Sequence, residues 1–65
     1  MENKKYELMK VAQLADYLKI QKSTAYAWVF QNRIPHIKLN GSLMFDLAEI
    51  NLWIENQKAK INNND

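Results

Sequence analysis

The sequence contains no cysteine, one glycine, one proline and one histidine. Without cysteine, neither a disulfide nor a thiolate zinc site can staple the chain. His36 stands alone as an imidazole, whereas zinc needs three or four ligands, so no metal is expected. No long apolar run exists. The longest, Ala25-Tyr26-Ala27-Trp28-Val29-Phe30, falls far short of the ~20 residues of a membrane-spanning helix. The opening Met1-Glu2-Asn3-Lys4-Lys5 leads into no apolar signal core. The expected location is therefore the cytoplasm, whose reducing conditions suit a chain without cysteine. No membrane partner is expected. A strong charge surplus is also missing. Nine Lys and Arg against seven Asp and Glu leave a net charge of +2, too little to identify an anionic partner by itself.

Catalytic constellations are absent as well. The carboxylates Glu2, Glu7, Asp16, Asp46, Glu49, Glu55 and Asp65 are scattered, with no Ser-His-Asp set and no glycine-rich phosphate loop. A chain of 65 residues forms one domain and buries only roughly 60% of the surface its unfolded form exposes. Little room remains for a substrate cleft. The expectation is a protein that is not an enzyme and takes no cofactor or small-molecule substrate.

What is present is helical periodicity. Val11, Leu14, Ala15 and Leu18 stand at i, i+3, i+4 and i+7, one face of a helix over about residues 11–18. A second stripe follows at Ala25, Trp28 and Val29 after a gap of three or four residues, the spacing of a helix-turn-helix. Ile20 falls in the gap and would plug the space between the helices. Ser23 and Thr24 favour a helix start, because their hydroxyls accept bonds from free amides. Asn32 tolerates the left-handed conformation common at helix ends, and Pro35 blocks continuation.

Asn40-Gly41 between apolar residues marks a hairpin. A two-residue loop pairs Leu39 with Ser42 and Ile37 with Met44. A three-residue loop pairs Leu39 with Leu43 and Ile37 with Phe45, which places all four large apolar groups on one face. The buried-face argument favours the three-residue loop. Asp46 and Glu49 then read as a capping box for a third helix with the stripe Leu47, Ile50, Trp53 and Ile54, ending near Gln57 or Lys60. Residues 1–8 read as a flexible lead-in, 9–60 as the domain and 61–65 as a disordered tail. The expected fold is mainly α with a small β-hairpin wing, in the order helix, turn, helix, hairpin, helix.

Residues Met9 to Ile54 resemble the excisionase-type helix-turn-helix family, relatives of the MerR-like winged-helix proteins. The resemblance is carried by Val11-Ala12-Gln13-Leu14-Ala15-Asp16-Tyr17-Leu18, by Lys22-Ser23-Thr24-Ala25-Tyr26, by Arg33-Ile34-Pro35, by Ile37-Lys38-Leu39-Asn40-Gly41, and by Phe45 and Leu47 to Ile54. It implies a small, sequence-specific DNA-binding protein of a phage or mobile element. One role it implies is that of an excisionase, a recombination directionality factor that binds and bends DNA. Another is that of a small transcription regulator. The implied partners are double-stranded DNA, an integrase or recombinase, and further copies of the chain on adjacent sites; the implied location is nucleoid-associated.

The resemblance also implies that the second helix lies in the major groove and the wing on adjacent backbone or minor groove. Lys22 would then meet phosphate or guanine, Ser23 and Thr24 phosphate or base edges, and Tyr26 phosphate. Ala27 would touch a thymine methyl or face water. Arg33 and Lys38 would neutralise phosphates, and Asn40 and Ser42 at the wing tip would reach sugar, phosphate or minor groove. Each also has an ordinary structural reading: helix capping for Ser23 and Thr24, turn formation for Asn40, solvated charge for the basic residues. His36 reads as an exposed ring beside Pro35, and Trp28 and Trp53 as core.

Six positions depart from the family pattern. Lys10 stands where Ser or Thr usually precedes the first helix, Lys19 where glycine occupies the turn, and Gln21 where a serine precedes the recognition helix. Ala27 and Ser42 replace common arginines, and Phe30 a common charged residue. A reading of another class follows, in which the fold is a protein-interaction module that uses Phe30.

Overall fold

The computed structural model describes residues 5–62, the last two by backbone alone. Three helices and three short strands follow in the order β1 (Leu8–Lys10), α1 (Val11–Leu18), α2 (Lys22–Phe30), β2 (Ile37–Leu39), β3 (Ser42–Asp46) and α3 (Leu47–Asn62). The strands form one antiparallel sheet with β3 between β1 and β2. The architecture is a winged helix-turn-helix, as the sequence pattern predicts.

Helix α1 buries Val11, Leu14 and Ala15, the stripe read from the sequence. It ends at Lys19, which adopts the left-handed conformation (φ 62°, ψ 44°). The Ile20 amide returns to the Ala15 carbonyl at 2.9 Å and the Lys19 amide to Asp16 at 3.3 Å, the bond pair of a Schellman cap. This turn carries Ile20 back against the core. An L-residue in this conformation costs roughly 1–2 kcal/mol that glycine avoids. Glycine's larger unfolded-state entropy removes roughly 0.4–1 kcal/mol of that gain. The net gain, roughly 0–1.6 kcal/mol, means that Lys19→Gly should raise Tm by up to about 13 °C. A thermal melt followed by circular dichroism checks this, and a lower Tm would mean that the Lys19 side chain stabilises the turn.

Helix α2 begins after Lys19-Ile20-Gln21. Its N-cap is Gln21, and no side chain caps it. Ser23 and Thr24 thus lie inside the first turn and do not cap the helix, contrary to the capping alternative. The helix closes with a second Schellman pair, Arg33 amide to Trp28 carbonyl at 2.8 Å and Asn32 amide to Val29 carbonyl at 2.9 Å. Asn32 takes φ 56°, the role expected of it.

The hairpin corrects the expected register. Ile37 faces Met44, Lys38 faces Leu43 and Leu39 faces Ser42, so the loop is the two residues Asn40-Gly41. Both have positive φ, 52° and 82°, as a type I′ turn requires. Turn chemistry prevails over burial because β2 is an edge strand beyond the helices. Of the two hairpin strands only β3 has a covered face, with Phe45 fully buried and Leu43 half-buried. Ile37 and Leu39 instead share the outer face with Met44, and Leu39 is 46% exposed.

The lead-in is corrected too. Leu8 to Lys10 form a strand against β3, with Met9 opposite Phe45 and buried. The Glu7 carbonyl accepts the Leu47 amide at 2.9 Å, tying this strand to the start of α3. Residues 1–4 of that lead-in fall outside the described residues. Helix α3 starts as expected, Asp46 Oδ1 accepting the Ala48 amide at 3.2 Å. The reciprocal bond from Glu49 is not formed among the described residues, so the box is half made. The helix continues through Asn62, past the expected end near Lys60 and into the segment read as a tail. Residues 63–65 lie outside the described residues.

Met9, Val11, Leu14, Ala25, Ile34, Phe45 and Ile50 form the core. Among the described residues no polar or charged side chain is buried. Trp28 and Trp53 pack on its rim with centroids 5.8 Å apart and planes tilted by 51°. The Trp53 indole Nε1 donates to the Arg33 carbonyl at 3.0 Å, joining α3 to the end of α2.

Candidate nucleic-acid interface

The first turn of α2 is mostly open to solvent. Ala25 is buried and anchors the helix, so Lys22, Ser23, Tyr26 and Ala27 stand on the exposed side, while Thr24 is half-buried. This follows from the spacing: a nine-residue helix with one buried contact in its first half leaves its remaining faces free. Neither Ser23 nor Thr24 spends its hydroxyl on a cap, so both can bond outward.

A cleft of about 300 Å³ opens beside this turn. Lys22 and Tyr26 line it from α2, Ser42 and Met44 from β3, and Lys10 from the junction of β1 and α1. The fold thus brings together three residues singled out from the sequence, Lys22, Tyr26 and Ser42, which come from two distant parts of the chain. Among the described residues no carboxylate lines the cleft. Neither Lys10 nor Lys22 has an ion-pair partner among the described residues, where the one ion pair joins Lys58 and Glu55 at 3.6 Å. A cavity with two free ammonium groups, a phenol, a hydroxyl and no acid suits an anion.

The other expected residues lie elsewhere. Lys38 is exposed on β2, on the face opposite Ser42 and Met44. Asn40 is exposed at the hairpin tip. Arg33 sits past the far end of α2, where its guanidinium donates to Gln31 Oε1 at 3.2 Å. It lines a second, larger cleft of about 510 Å³ with Trp28, Trp53, Gln57 and Lys60. His36 departs from the exposed ring expected of it. It is half-buried, and its Nδ1 lies 2.8 Å from the Ile34 carbonyl, which can only accept, so Nδ1 carries the proton. Phe30 is 90% exposed at the end of α2.

Sequence reasoning missed Lys10. One signal pointed to it: a lysine at the N-cap, where only an acceptor side chain can satisfy the first amides. The structure shows no acceptor from Lys10. Gln13 Oε1 instead accepts the Lys10 amide at 3.0 Å.

Among the described residues, no group of His, Cys, Asp and Glu could hold a metal ion, and no helix is long and apolar enough to cross a membrane. A family model described as a helix-turn-helix domain matches residues 8–58. No curated protein and no solved structure matches the chain.

Proposed function

We propose that this chain, which belongs to the helix-turn-helix domain family, is a sequence-specific DNA-binding protein. That family includes excisionase-type small DNA-binding proteins and is typically non-enzymatic. The observation that supports the reading best is the cleft where the exposed start of α2 meets β3, lined by Lys10 and Lys22 and, among the described residues, by no acid. In a helix-turn-helix complex, the recognition helix enters the major groove by its N-terminal residues. Lys22, Ser23, Thr24 and Tyr26 occupy that end. Ala27, next along the exposed side, would meet a thymine methyl. Ser42 and Asn40 on the wing would hold sugar or phosphate beside the groove, with Arg33 and Lys38 taking phosphates at the flanks.

The finer role we propose is that of an excisionase of a phage or mobile element, bending DNA for a recombinase, with further copies on adjacent sites. A domain with so few base-reading side chains needs such partners for specific occupancy. The alternative within the same class is a small transcription regulator. A gel-mobility bending assay on recombination-site DNA separates the two: an excisionase bends it, and an unbent complex favours the regulator.

The test of DNA binding is fluorescence anisotropy with duplexes tiling the DNA that flanks the gene, against scrambled duplexes, from about 50 to 200 mM salt. Native DNA should bind more tightly than scrambled DNA. Lys22→Ala should weaken binding about three- to tenfold and flatten the log-log salt slope by about 0.9, the loss of one phosphate contact. Absence of binding to any duplex at the lowest salt would defeat the reading.

The 90% exposure of Phe30 favours a second reading, a protein-interaction module. Under it, Phe30→Ser abolishes function and Lys22→Ala leaves function intact. Loss of function in the folded Lys22→Ala protein would eliminate that reading.

A further inference from the structure

We propose that Lys10 binds a DNA backbone phosphate together with Lys22, so that β1 belongs to the nucleic-acid surface alongside α2 and the wing. This inference rests on the DNA-binding reading. It goes beyond that reading by adding a contact from a part of the chain the recognition helix and wing do not include.

Pairing dictates where Lys10 stands. In the β1–β3 ladder Lys10 lies opposite Met44, and Ser42 lies two residues from Met44 along β3. Residues opposite each other, or two apart on one strand, point to the same face. The face that carries Lys10 is therefore the one that carries Met44 and Ser42, and all three line the cleft that Lys22 and Tyr26 close from the other side. Two lysines remote in sequence thus converge on one open cavity, with no carboxylate among the described residues to neutralise them. Like charges facing one cavity repel, and a doubly or singly charged oxyanion between them removes that repulsion. The phosphates of a duplex whose major groove holds α2 run along the edges of that groove, beside the recognition helix. A cavity there is where they would fall.

Lys10 also does nothing for the fold that a smaller residue would not do better. Its ammonium has no acceptor lone pair and cannot cap an amide. It places a cation beside the helix end that disfavours one. Its backbone amide is held by Gln13 Oε1 at 3.0 Å, a bond independent of the side chain at position 10. A residue that works against local structure while facing a binding cleft is the pattern of a functional position.

That conflict gives the test opposite signs. Lys10→Ser installs an acceptor at the N-cap and should raise Tm. The same substitution should weaken DNA binding about three- to tenfold and flatten the log-log salt slope by about 0.9. Lys10→Arg should restore both affinity and slope. Two probes are used in anisotropy: the flanking-DNA duplex that the unsubstituted protein binds best, and a scrambled duplex of equal length. Loss of a phosphate contact lowers affinity for both by the same factor. Unchanged affinity and slope in Lys10→Ser, with Lys22→Ala weakened, would overturn the Lys10 proposal and leave the DNA-binding reading standing. A loss confined to the preferred duplex would overturn the phosphate assignment. Absence of binding by the unsubstituted protein would overturn the reading and the proposal together.

Discussion

Phe45→Ala should leave the protein largely unfolded at 25 °C. Phe45 is one of the three largest fully buried side chains, on the central strand, opposite Met9. Removing a buried phenyl ring costs about 3–5 kcal/mol, because transfer energy is lost and the cavity collapses only in part. A chain of 65 residues has roughly 3–10 kcal/mol of total stability. The loss is thus comparable to everything the fold has. Repacking could come only from Met9, Leu14 and Ile50, which are already buried in the same cluster. The measurement is far-UV circular dichroism with urea titration. A cooperative transition at a midpoint close to that of the parent protein would show that the ring is not central to the core. Phe45→Leu, which keeps most of the volume, should fold with a lowered midpoint.

Trp53→Ala should lower Tm by roughly 8–24 °C, a loss of about 2–3 kcal/mol. The figure is below that for a fully buried ring because Trp53 is half-buried. Two contacts disappear together: the tilted packing on Trp28 and the Nε1 bond to the Arg33 carbonyl. Trp53→Phe separates them. It keeps a ring against Trp28 but loses the bond, so it should cost about 1 kcal/mol. A differential scan of the three proteins reads both steps. Equal losses in the two variants would place the whole effect in the hydrogen bond. The effect also reaches the interface. Trp28 belongs to α2, and Arg33 lies in the turn that closes it, so Trp53 holds the recognition helix at its far end. Trp53→Ala should therefore weaken DNA binding at temperatures where the domain is still folded, although Trp53 is remote from the Lys22 cleft.

The helices were readable from the chain because their signals are local. The stripe Val11, Leu14, Ala15 and Leu18 spans two turns, and the structure buries Val11, Leu14 and Ala15 and packs Leu18 against them. Asn32 ends its helix in the left-handed conformation, and Asp46 caps the next one. Each decision depends on residues within about four positions, the reach of an i→i+4 bond. The resemblance to excisionase-type proteins rests on the same local segments, and the family match over residues 8–58 agrees with it.

Other features needed residues from distant parts of the chain. Leu8-Met9-Lys10 is too short to show a strand period. It becomes β1 because β3 offers a free edge and Phe45 needs a cover, which Met9 supplies. The hairpin register turned on how much of β2 is covered. The sequence shows four apolar residues in reach of one face; only the tertiary arrangement shows that helices cover β3 and leave β2 outside, so the type I′ turn of Asn40-Gly41 decides.

The sequence by itself determined the helical order, the short gap between α1 and α2, the left-handed stop at Asn32 and the chemistry carried by the start of α2, since periodicity and capping act over a few residues. The tertiary structure alone decided that Lys10 and Lys22 share a cleft, that Arg33 turns away to Trp53, and that Leu39 faces solvent. Those outcomes follow from strand pairing and from the way α3 packs, which join residues that no local pattern connects.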